Sequence, residues 1–178
     1  MSTHSLYYLH GPDPAVPLED SIGELIKLKN EGKINHIGIA NVTLEEIKLA
    51  SRLTKISAVQ NRCNPFCKGD FKNGLIDYCK LNNIIYVPYC PLGSWADHAK
   101  LAKSPLYENL TTPYHTSSYA ISLAWLLAKG NHIIPIPGMD KINHVIANIE
   151  AVNLPLAAED ITNIDRFPDL YSPKHVDL

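Results

Sequence analysis

The sequence has 178 residues, which is enough for one domain with a sizeable hydrophobic core. Its apolar fraction of 46% is typical of a globular protein, and a net charge of −2 without a basic run argues against general binding to nucleic acid or an anionic membrane. No apolar run has the length of a membrane span, the N-terminus lacks a signal-peptide pattern, and the four cysteines are spaced as free thiols rather than as a zinc site. These features predict a cytoplasmic protein without a bound metal.

The predicted elements alternate between strand and helix along the chain. Strands are predicted at 6–9, 36–40, 57–60, 84–89 and 133–136, the first of them buried, and helices at 19–31, 43–52, 71–82, 117–129, from 141, and at 160–167. Thr43 and Glu46 have the spacing of a capping box at the second helix. We expect a long irregular loop from Cys90 to His115 and a loose tail from about Pro168.

The apolar strands are continuous rather than alternating, which favours a parallel sheet covered on both faces. No G-x-G-x-x-G follows the first strand, so the dinucleotide fingerprint of an open doubly wound sheet is absent. Polar residues instead cluster at the carboxyl ends of the strands, at His10, Asn41, Gln60, Asn61 and Tyr89, and ligands bind at these ends in a (β/α) barrel. The pattern predicts a single partial domain over 1–178, a TIM-barrel-type parallel α/β fold truncated to about its last five βα units.

The stretch from Ile133 to Lys141 is the most suggestive local feature. A short apolar strand ends in Pro-Ile-Pro-Gly, and a helix from about Lys141 carries the apolar residues Ile142, Val145, Ile146 and Ile149 on one face. A helix start beside Lys141 and His144 can bind an anion, since free N–H groups and the helix dipole favour negative charge there. The stretch therefore indicates either a nucleotide phosphate site or an ordinary βα turn with a solvated lysine.

Six short motifs occur in an order and at a spacing that match one family. They are LHGPDP at 9–14, EGKI at 31–34, IGIAN at 37–41, VQN at 59–61, YCPLG at 89–93 and IPIPG at 134–138. By these motifs the chain resembles the aldo-keto reductases, which are NADP-dependent (β/α)8-barrel oxidoreductases. The resemblance extends from about Leu6 to about Phe167.

The resemblance assigns four residues to the nicotinamide and the substrate. His10 matches the histidine that hydrogen-bonds the substrate carbonyl and orients it. Asn41 and Gln60 match the residues that hold the nicotinamide carboxamide, a task that suits amide side chains because each offers a donor and an acceptor. Tyr89 matches the ring that stacks on the nicotinamide and leaves one face open for hydride transfer.

The resemblance also assigns residues to the rest of NADPH. The turn that covers the pyrophosphate matches Leu92, Gly93 and Ser94. Lys141 and His144 fall in the segment that binds the 2′-phosphate, and Asn148 matches a residue near the adenine. Asp140 departs from the Ser or Thr that is common in the family, and its charge repels a phosphate unless Lys141 compensates.

The implied activity is hydride transfer between NADPH and an aldehyde or ketone. In the family, the general-acid tyrosine, with its lysine and aspartate, lies on strands that precede the segment matching His10, and this sequence offers only nine residues there. The alternative is a non-catalytic truncated remnant that binds a nucleotide or a protein, or a gene fragment. Because five barrel strands leave open edges and an uncovered core, we expect a dimer or a complementing N-terminal half.

Overall fold

The structure is a computed structural model that describes residues 3–94 and 98–170. In these residues four strands, β1 (His4–Leu9), β2 (Ile34–Ala40), β3 (Ile56–Arg62) and β4 (Ile85–Tyr89), form one sheet in the order β1-β2-β3-β4. β1 pairs with β2, and β2 with β3, in parallel. The predicted parallel α/β fold is thereby confirmed.

The helices follow the strands as the sequence pattern predicts. They are α1 (Leu18–Asn30), α2 (Leu44–Leu53), α3 (Gly69–Lys72), α4 (Leu75–Leu81), α5 (His98–Ala102), α6 (Pro105–Tyr114), α7 (Ser118–Ala128), α8 (Ile142–Val152) and α9 (Ala158–Arg166). The capping box of α2 is present, because the Thr43 hydroxyl accepts from the Glu46 N–H while the Glu46 carboxylate accepts from the Thr43 N–H at 2.7 Å. Among the described residues, no helix has both the length and the apolar character that crossing a bilayer requires.

The described residues fall into two compact units. The first contains 3–61 and 70–87, and its fully buried core includes Ile22, Ile37, Ile39, Ile47 and Leu75. The second contains 62–69 and 88–170, and its core is built around the fully buried residues Phe66, Leu101, Tyr107, Ile121, Trp125 and Leu126. The single partial domain inferred from the sequence stays a prediction.

The fifth predicted strand, at 133–136, is not formed as a strand in the described chain. Ile136 makes an isolated parallel bridge to Tyr89, and its N–H donates to the Pro88 carbonyl at 3.1 Å. Pro135 and Pro137 have no N–H and therefore cannot extend this bridge into a ladder. The pattern located a contact that is parallel to β4, but it overestimated the length of the pairing.

The predicted loop from Cys90 to His115 is also wrong over most of its length, since it contains α5 and α6. Leu101, Tyr107 and Leu110 are buried there, so tertiary packing supports these short helices. A local signal was available, because Ser104 followed by Pro105 is typical of a helix start. The predicted helix at 71–82 is likewise divided into α3 and α4, at Gly74, whose φ is +82°.

Two ends of the chain differ from the prediction. β1 was expected to be buried, but Leu6 and Tyr7 are exposed, because β1 pairs only with β2 in the part of the chain that is described. The start of the expected loose tail is anchored, since the Leu170 N–H donates to the Phe66 carbonyl at 2.9 Å and Asp169 pairs with the Lys68 ammonium at 3.1 Å. The rest of the expected tail lies outside the described residues.

Candidate functional site

Three of the residues singled out in the sequence follow neighbouring strands of the sheet. His10 comes directly after β1, Asn41 directly after β2, and Gln60 lies near the end of β3. Because these strands are parallel and adjacent, their carboxyl ends lie at one edge of the sheet. We refer to His10, Asn41 and Gln60 as the strand-end cluster.

Asn41 connects the strand-end cluster by hydrogen bonds. Its side-chain Nδ2 donates to the His10 carbonyl at 2.7 Å, and its backbone N–H donates to the Gln60 carbonyl at 3.0 Å. Its φ is +55°, in the left-handed region that Asn tolerates better than most residues. The structure therefore brings these three predicted residues together through the backbone conformation and side chain of Asn41.

The other two side chains of the cluster are more accessible. The His10 side chain is exposed. Gln60 is half-buried, and its side-chain amide has no hydrogen-bond partner within the part of the chain that the structure describes. A half-buried amide without a protein partner is chemically suited to a ligand that carries its own donor and acceptor.

A buried polar network that the sequence analysis did not identify lies next to the cluster. The side chain of Asn61 accepts from the Val42 N–H at 3.1 Å and donates from Nδ2 to the Val42 carbonyl at 2.8 Å. Nδ2 also donates to Asp70 Oδ2 at 2.8 Å, and the same oxygen accepts from the Tyr86 hydroxyl at 2.8 Å. The sequence pattern identifies Asn61 only as a polar residue at a strand end, and nothing in the local sequence identifies Asp70 or Tyr86 as its partners.

The surroundings of this network are poorly solvated, as the raised pKa of the neighbouring Cys79 thiol indicates. Burial raises the pKa of Cys79 from its ordinary value of 9.0 to about 12, and the charge of Asp70 adds to the shift. Both effects disfavour a thiolate. Cys79 is therefore a protonated packing residue at neutral pH, as the sequence predicted for the cysteines.

In the second compact unit, the turn after β4 is fixed by its backbone. Cys90 has a φ of +47°, and its carbonyl accepts from Asn64 Nδ2 at 2.9 Å and from the Gly93 N–H at 3.0 Å. Gly93 has a φ of +88°, a conformation that glycine adopts without strain. The Tyr89 carbonyl accepts from the Cys63 N–H at 3.3 Å.

Leu92 packs this turn against α7 and α8. It packs against a buried cluster of Ala120 and Leu123 on α7 and Ala151 on α8. Leu92, Gly93 and Ser94 are each half-buried. The turn that is predicted to cover a pyrophosphate thus packs against a cluster to which α8, the helix with the predicted phosphate and adenine residues, contributes Ala151.

Lys141, His144 and Asn148, the helix-face cluster, lie on one side of α8 because they are spaced by three and four residues. Lys141 is the N-cap residue and is exposed. His144 Nδ1 lies 2.6 Å from an Asp140 carboxylate oxygen, so an acid occupies the helix start where an anion would be favoured. Asn148 Nδ2 is buried without a hydrogen-bond partner among the described residues.

Comparison with known proteins agrees with the pattern of motifs. A sequence model of the Aldo/keto reductase family matches residues 2–169. An uncharacterized oxidoreductase of Schizosaccharomyces pombe is 32% identical over 161 residues, which are 90% of this chain and 51% of that protein. A second protein of that yeast, aldo-keto reductase yakc, whose name specifies NADP(+), is 29% identical over 188 residues, with 89% of this chain and 55% of that protein covered.

Solved structures of aldo-keto reductases have a similar fold. The crystal structure of a thermostable aldo-keto reductase in complex with the inhibitor epalrestat matches with a TM-score of 0.81 and 26% identity, over 93% of this chain and 60% of that one. The chain spans about half the length of the curated relatives it matches.

Proposed function

The chain belongs to the aldo-keto reductase family, and on that premise we propose that it binds NADPH and takes part in the reduction of an aldehyde or ketone. The family resemblance inferred from the six motifs is thereby confirmed, whereas the activity is our proposal. The observation that carries it is the joining of His10, Asn41 and Gln60 through Asn41, because these are the residues that match the nicotinamide and carbonyl contacts of the family.

The donors and acceptors of the strand-end cluster fit a nicotinamide carboxamide. Gln60 offers a half-buried amide that has no partner in the described chain, and its backbone carbonyl accepts from the Asn41 backbone N–H, so the two residues are adjacent. A carboxamide carries one acceptor and two donor hydrogens, so it can pair with such amides in both directions. We assign the nicotinamide contacts to Asn41 and Gln60, with Tyr89 as the stacking ring.

The helix-face cluster fits the other end of the cofactor less closely. Within the described residues, Asn148 Nδ2 is buried without a hydrogen-bond partner, which is the feature expected of a residue that meets adenine. Lys141 has no carboxylate partner among the described residues, so its charge is available for a 2′-phosphate. His144 is held by Asp140, and a phosphate must compete with that carboxylate. We assign the pyrophosphate to the turn formed by Leu92, Gly93 and Ser94, as the resemblance implies.

When bound, NADPH supplies the hydride that adds to the carbonyl carbon. The exposed imidazole of His10 donates a hydrogen bond to the carbonyl oxygen and thereby orients the carbon toward the incoming hydride. The developing alkoxide also needs a proton, and such transfer contributes about 10²–10⁴-fold in rate. By the resemblance, the tyrosine that delivers it belongs to βα units other than those matched here.

The cofactor proposal is tested by titrating the chain with NADPH. We expect saturable binding that Gln60→Ala and Lys141→Ala each weaken, by about tenfold where a directed hydrogen bond or a phosphate contact of about 1.4 kcal/mol is lost. Lys80→Ala is the matched control, because it removes an exposed lysine from α4. Absence of saturable binding to the folded chain would contradict the proposal.

We further propose that the partner of this chain is a set of βα units that completes the barrel. The apolar face of α8 supports this, since Ile142, Val145, Ile146, Ile149 and Val152 are 81%, 37%, 53%, 60% and 66% exposed. An apolar face of this extent is unusual on a finished surface. The relatives are about twice as long as the matched segment, so they contain the amount of chain that such a partner requires.

The partner is tested by adding the separately expressed N-terminal half of the S. pombe oxidoreductase. We expect a one-to-one complex by light scattering, and NADPH-dependent reduction of an aromatic aldehyde that neither half performs alone. Ile142→Gln with Ile149→Gln should abolish the complex, while Leu81→Gln, a change at an equally exposed residue of α4, should not. Self-association that the α8 variants abolish would show that a second copy covers the face instead.

The non-catalytic alternative is distinguished by the same measurements. The Asp140–His144 contact favours it, because that carboxylate occupies the position where a phosphate is needed. Nucleotide binding and complex formation without aldehyde reduction would support a binding role. The four cysteines are free, which agrees with the reducing, cytoplasmic location that we propose.

A further inference from the structure

We propose that Asn61 and Asp70 are positioning residues for the cofactor site. In this proposal Asp70 fixes the orientation of the Asn61 amide, and that amide holds the Val42 peptide groups and thereby the turn that carries Asn41. The inference rests on the proposed function, since it matters for binding only if Asn41 contacts the nicotinamide. We call Asn61, Asp70 and their contact with Val42 the turn clamp.

The turn clamp begins where backbone pairing ends. The last paired residues of β2 and β3 are Ala40 and Gln60, and Asn41 then leaves the strand direction with its φ of +55°. At the next residue, the Asn61 side chain takes both backbone groups of Val42, at 3.1 Å for the N–H and 2.8 Å for the carbonyl. A side-chain amide thus replaces the missing strand partner, and Asn41 is held between two fixed points.

Asp70 determines which way round the amide of Asn61 lies. An ionised carboxylate only accepts hydrogen bonds, so the group that faces it at 2.8 Å must be Nδ2. The Asn61 oxygen is then turned toward the Val42 N–H. The reversed amide would place oxygen against the carboxylate and NH₂ against the Val42 N–H, which are two repulsive contacts. Asp70 therefore selects the only orientation that supports the turn.

Burial makes these contacts costly to lose. Asn61 and Asp70 are buried, and Tyr86, which also donates to Asp70, is fully buried. Water therefore cannot readily replace a lost partner, and a buried polar group without a partner is strongly unfavourable. The clamp is consequently stiff, and stiffness at Asn41 is what a directed contact to a ligand requires.

The clamp itself is tested by hydrogen exchange of the Val42 amide. We expect Asn61→Ala to lower the Val42 protection factor by at least about tenfold more than the loss of global stability explains. Ser122→Ala is the matched control, since its buried hydroxyl bonds Tyr107 at 2.7 Å and the Ser118 carbonyl at 2.8 Å in the other compact unit. Equal Val42 protection in Asn61→Ala and Ser122→Ala, after correction for stability, would overturn the clamp.

The cofactor role is tested by comparing NADPH with 2′,5′-ADP, which lacks the nicotinamide. We expect Asn61→Ala to weaken NADPH binding about tenfold and 2′,5′-ADP binding less than about twofold, because the clamp acts only on the nicotinamide contact. Equal losses for both nucleotides would overturn the positioning role. If the wild-type chain binds neither nucleotide, the proposed function fails together with the cofactor role, and Val42 exchange alone decides whether the clamp exists.

Asp70→Asn is the second variant, for the case in which Asn61→Ala does not fold. It keeps the shape of the side chain, but it can present either an oxygen or an NH₂ to Asn61, so the amide loses its enforced orientation. We expect faster Val42 exchange than in Ser122→Ala and weaker NADPH binding with little change for 2′,5′-ADP. Unchanged Val42 exchange in this variant would overturn the part of the proposal that concerns Asp70.

Discussion

The two groups of candidate residues are held in very different ways. The strand-end cluster is connected by hydrogen bonds of 2.7 and 3.0 Å and lies beside the buried network of Asn61, Asp70 and Tyr86. The helix-face cluster has an exposed lysine and an exposed Asp140–His144 pair on a helix whose apolar side is uncovered. The comparison indicates that the proposed nicotinamide contacts are preorganised by the fold, whereas the proposed phosphate contacts depend on surface electrostatics and on whatever covers α8.

The largest expected effect separates a buried residue of the strand region from an exposed residue of α8. Ile39→Ala removes a fully buried side chain from β2 and should lower the free energy of unfolding by about 2–5 kcal/mol. Ile142→Ala, at a residue that is 81% exposed on α8, should change it by less than about 0.5 kcal/mol. Urea unfolding of both variants measures the difference. A comparable loss for Ile142→Ala would mean that α8 is covered in solution and would remove the contrast.

The second effect concerns Asn41, where backbone conformation and side chain can be separated. Asn41→Ala loses the bond to the His10 carbonyl and places alanine at a φ of +55°, so we expect a loss of about 1–3 kcal/mol. Asn41→Gly loses the same bond without the conformational strain and should be the more stable variant. Thermal unfolding gives the order. Equal stability of the two variants would show that the left-handed conformation is not maintained in solution.

The third prediction uses Cys79 to report on the poorly solvated surroundings of the Asn61, Asp70 and Tyr86 network. Because the pKa of Cys79 in the folded protein is raised from 9.0 to about 12, the folded state holds this proton more tightly than the unfolded state between those pH values. The stabilisation is complete below pH 9 and is lost as the pH rises toward 12, with a slope of up to about 1.4 kcal/mol per pH unit. Urea unfolding across this range should show a shallower decline for Cys79→Ala than for the wild type. Parallel declines would indicate that the thiol is well solvated.

The smallest effect is expected at the helix-face cluster. Asp140→Asn removes an exposed carboxylate from His144, and we expect NADPH to bind a few-fold more tightly, by less than about 1 kcal/mol, because the pair is open to solvent. The gain should shrink at high salt. Glu150→Gln, on the same helix, is the control and should leave the affinity unchanged. Tighter binding by both variants would point to net charge rather than to the Asp140 contact.

The sequence predicted best those features that short segments determine. The capping box at Thr43 and Glu46, the strand–helix alternation and the polar residues after the strands depend on a few neighbouring side chains, and the structure contains them. The predicted strand at 133–136 and the predicted loop at 90–115 are wrong for a related reason. Pairing of β4 with 133–136 is limited by two prolines, and α5 and α6 are supported by packing that a local pattern does not reveal.

In the candidate site, too, local sequence identifies some residues, whereas contacts between residues distant in the sequence are not predictable from it. His10, Asn41 and Gln60 could be found because each stands at the end of an apolar run. The Asp70–Asn61 contact joins residues nine apart, and the Tyr86–Asp70 contact joins residues sixteen apart, with no periodicity that relates them. Whether Asp140 would meet a phosphate or His144 also depended on a side-chain geometry that residue types alone do not determine.

The uncovered apolar face of α8 has a consequence for the life of this polypeptide in a cell. Chaperones and quality-control proteases recognise exposed apolar segments, so an unassembled chain should be degraded quickly, while a bound partner shifts the equilibrium toward the protected state. The abundance of this protein should then follow the supply of the proposed barrel-completing partner rather than the rate of its own synthesis.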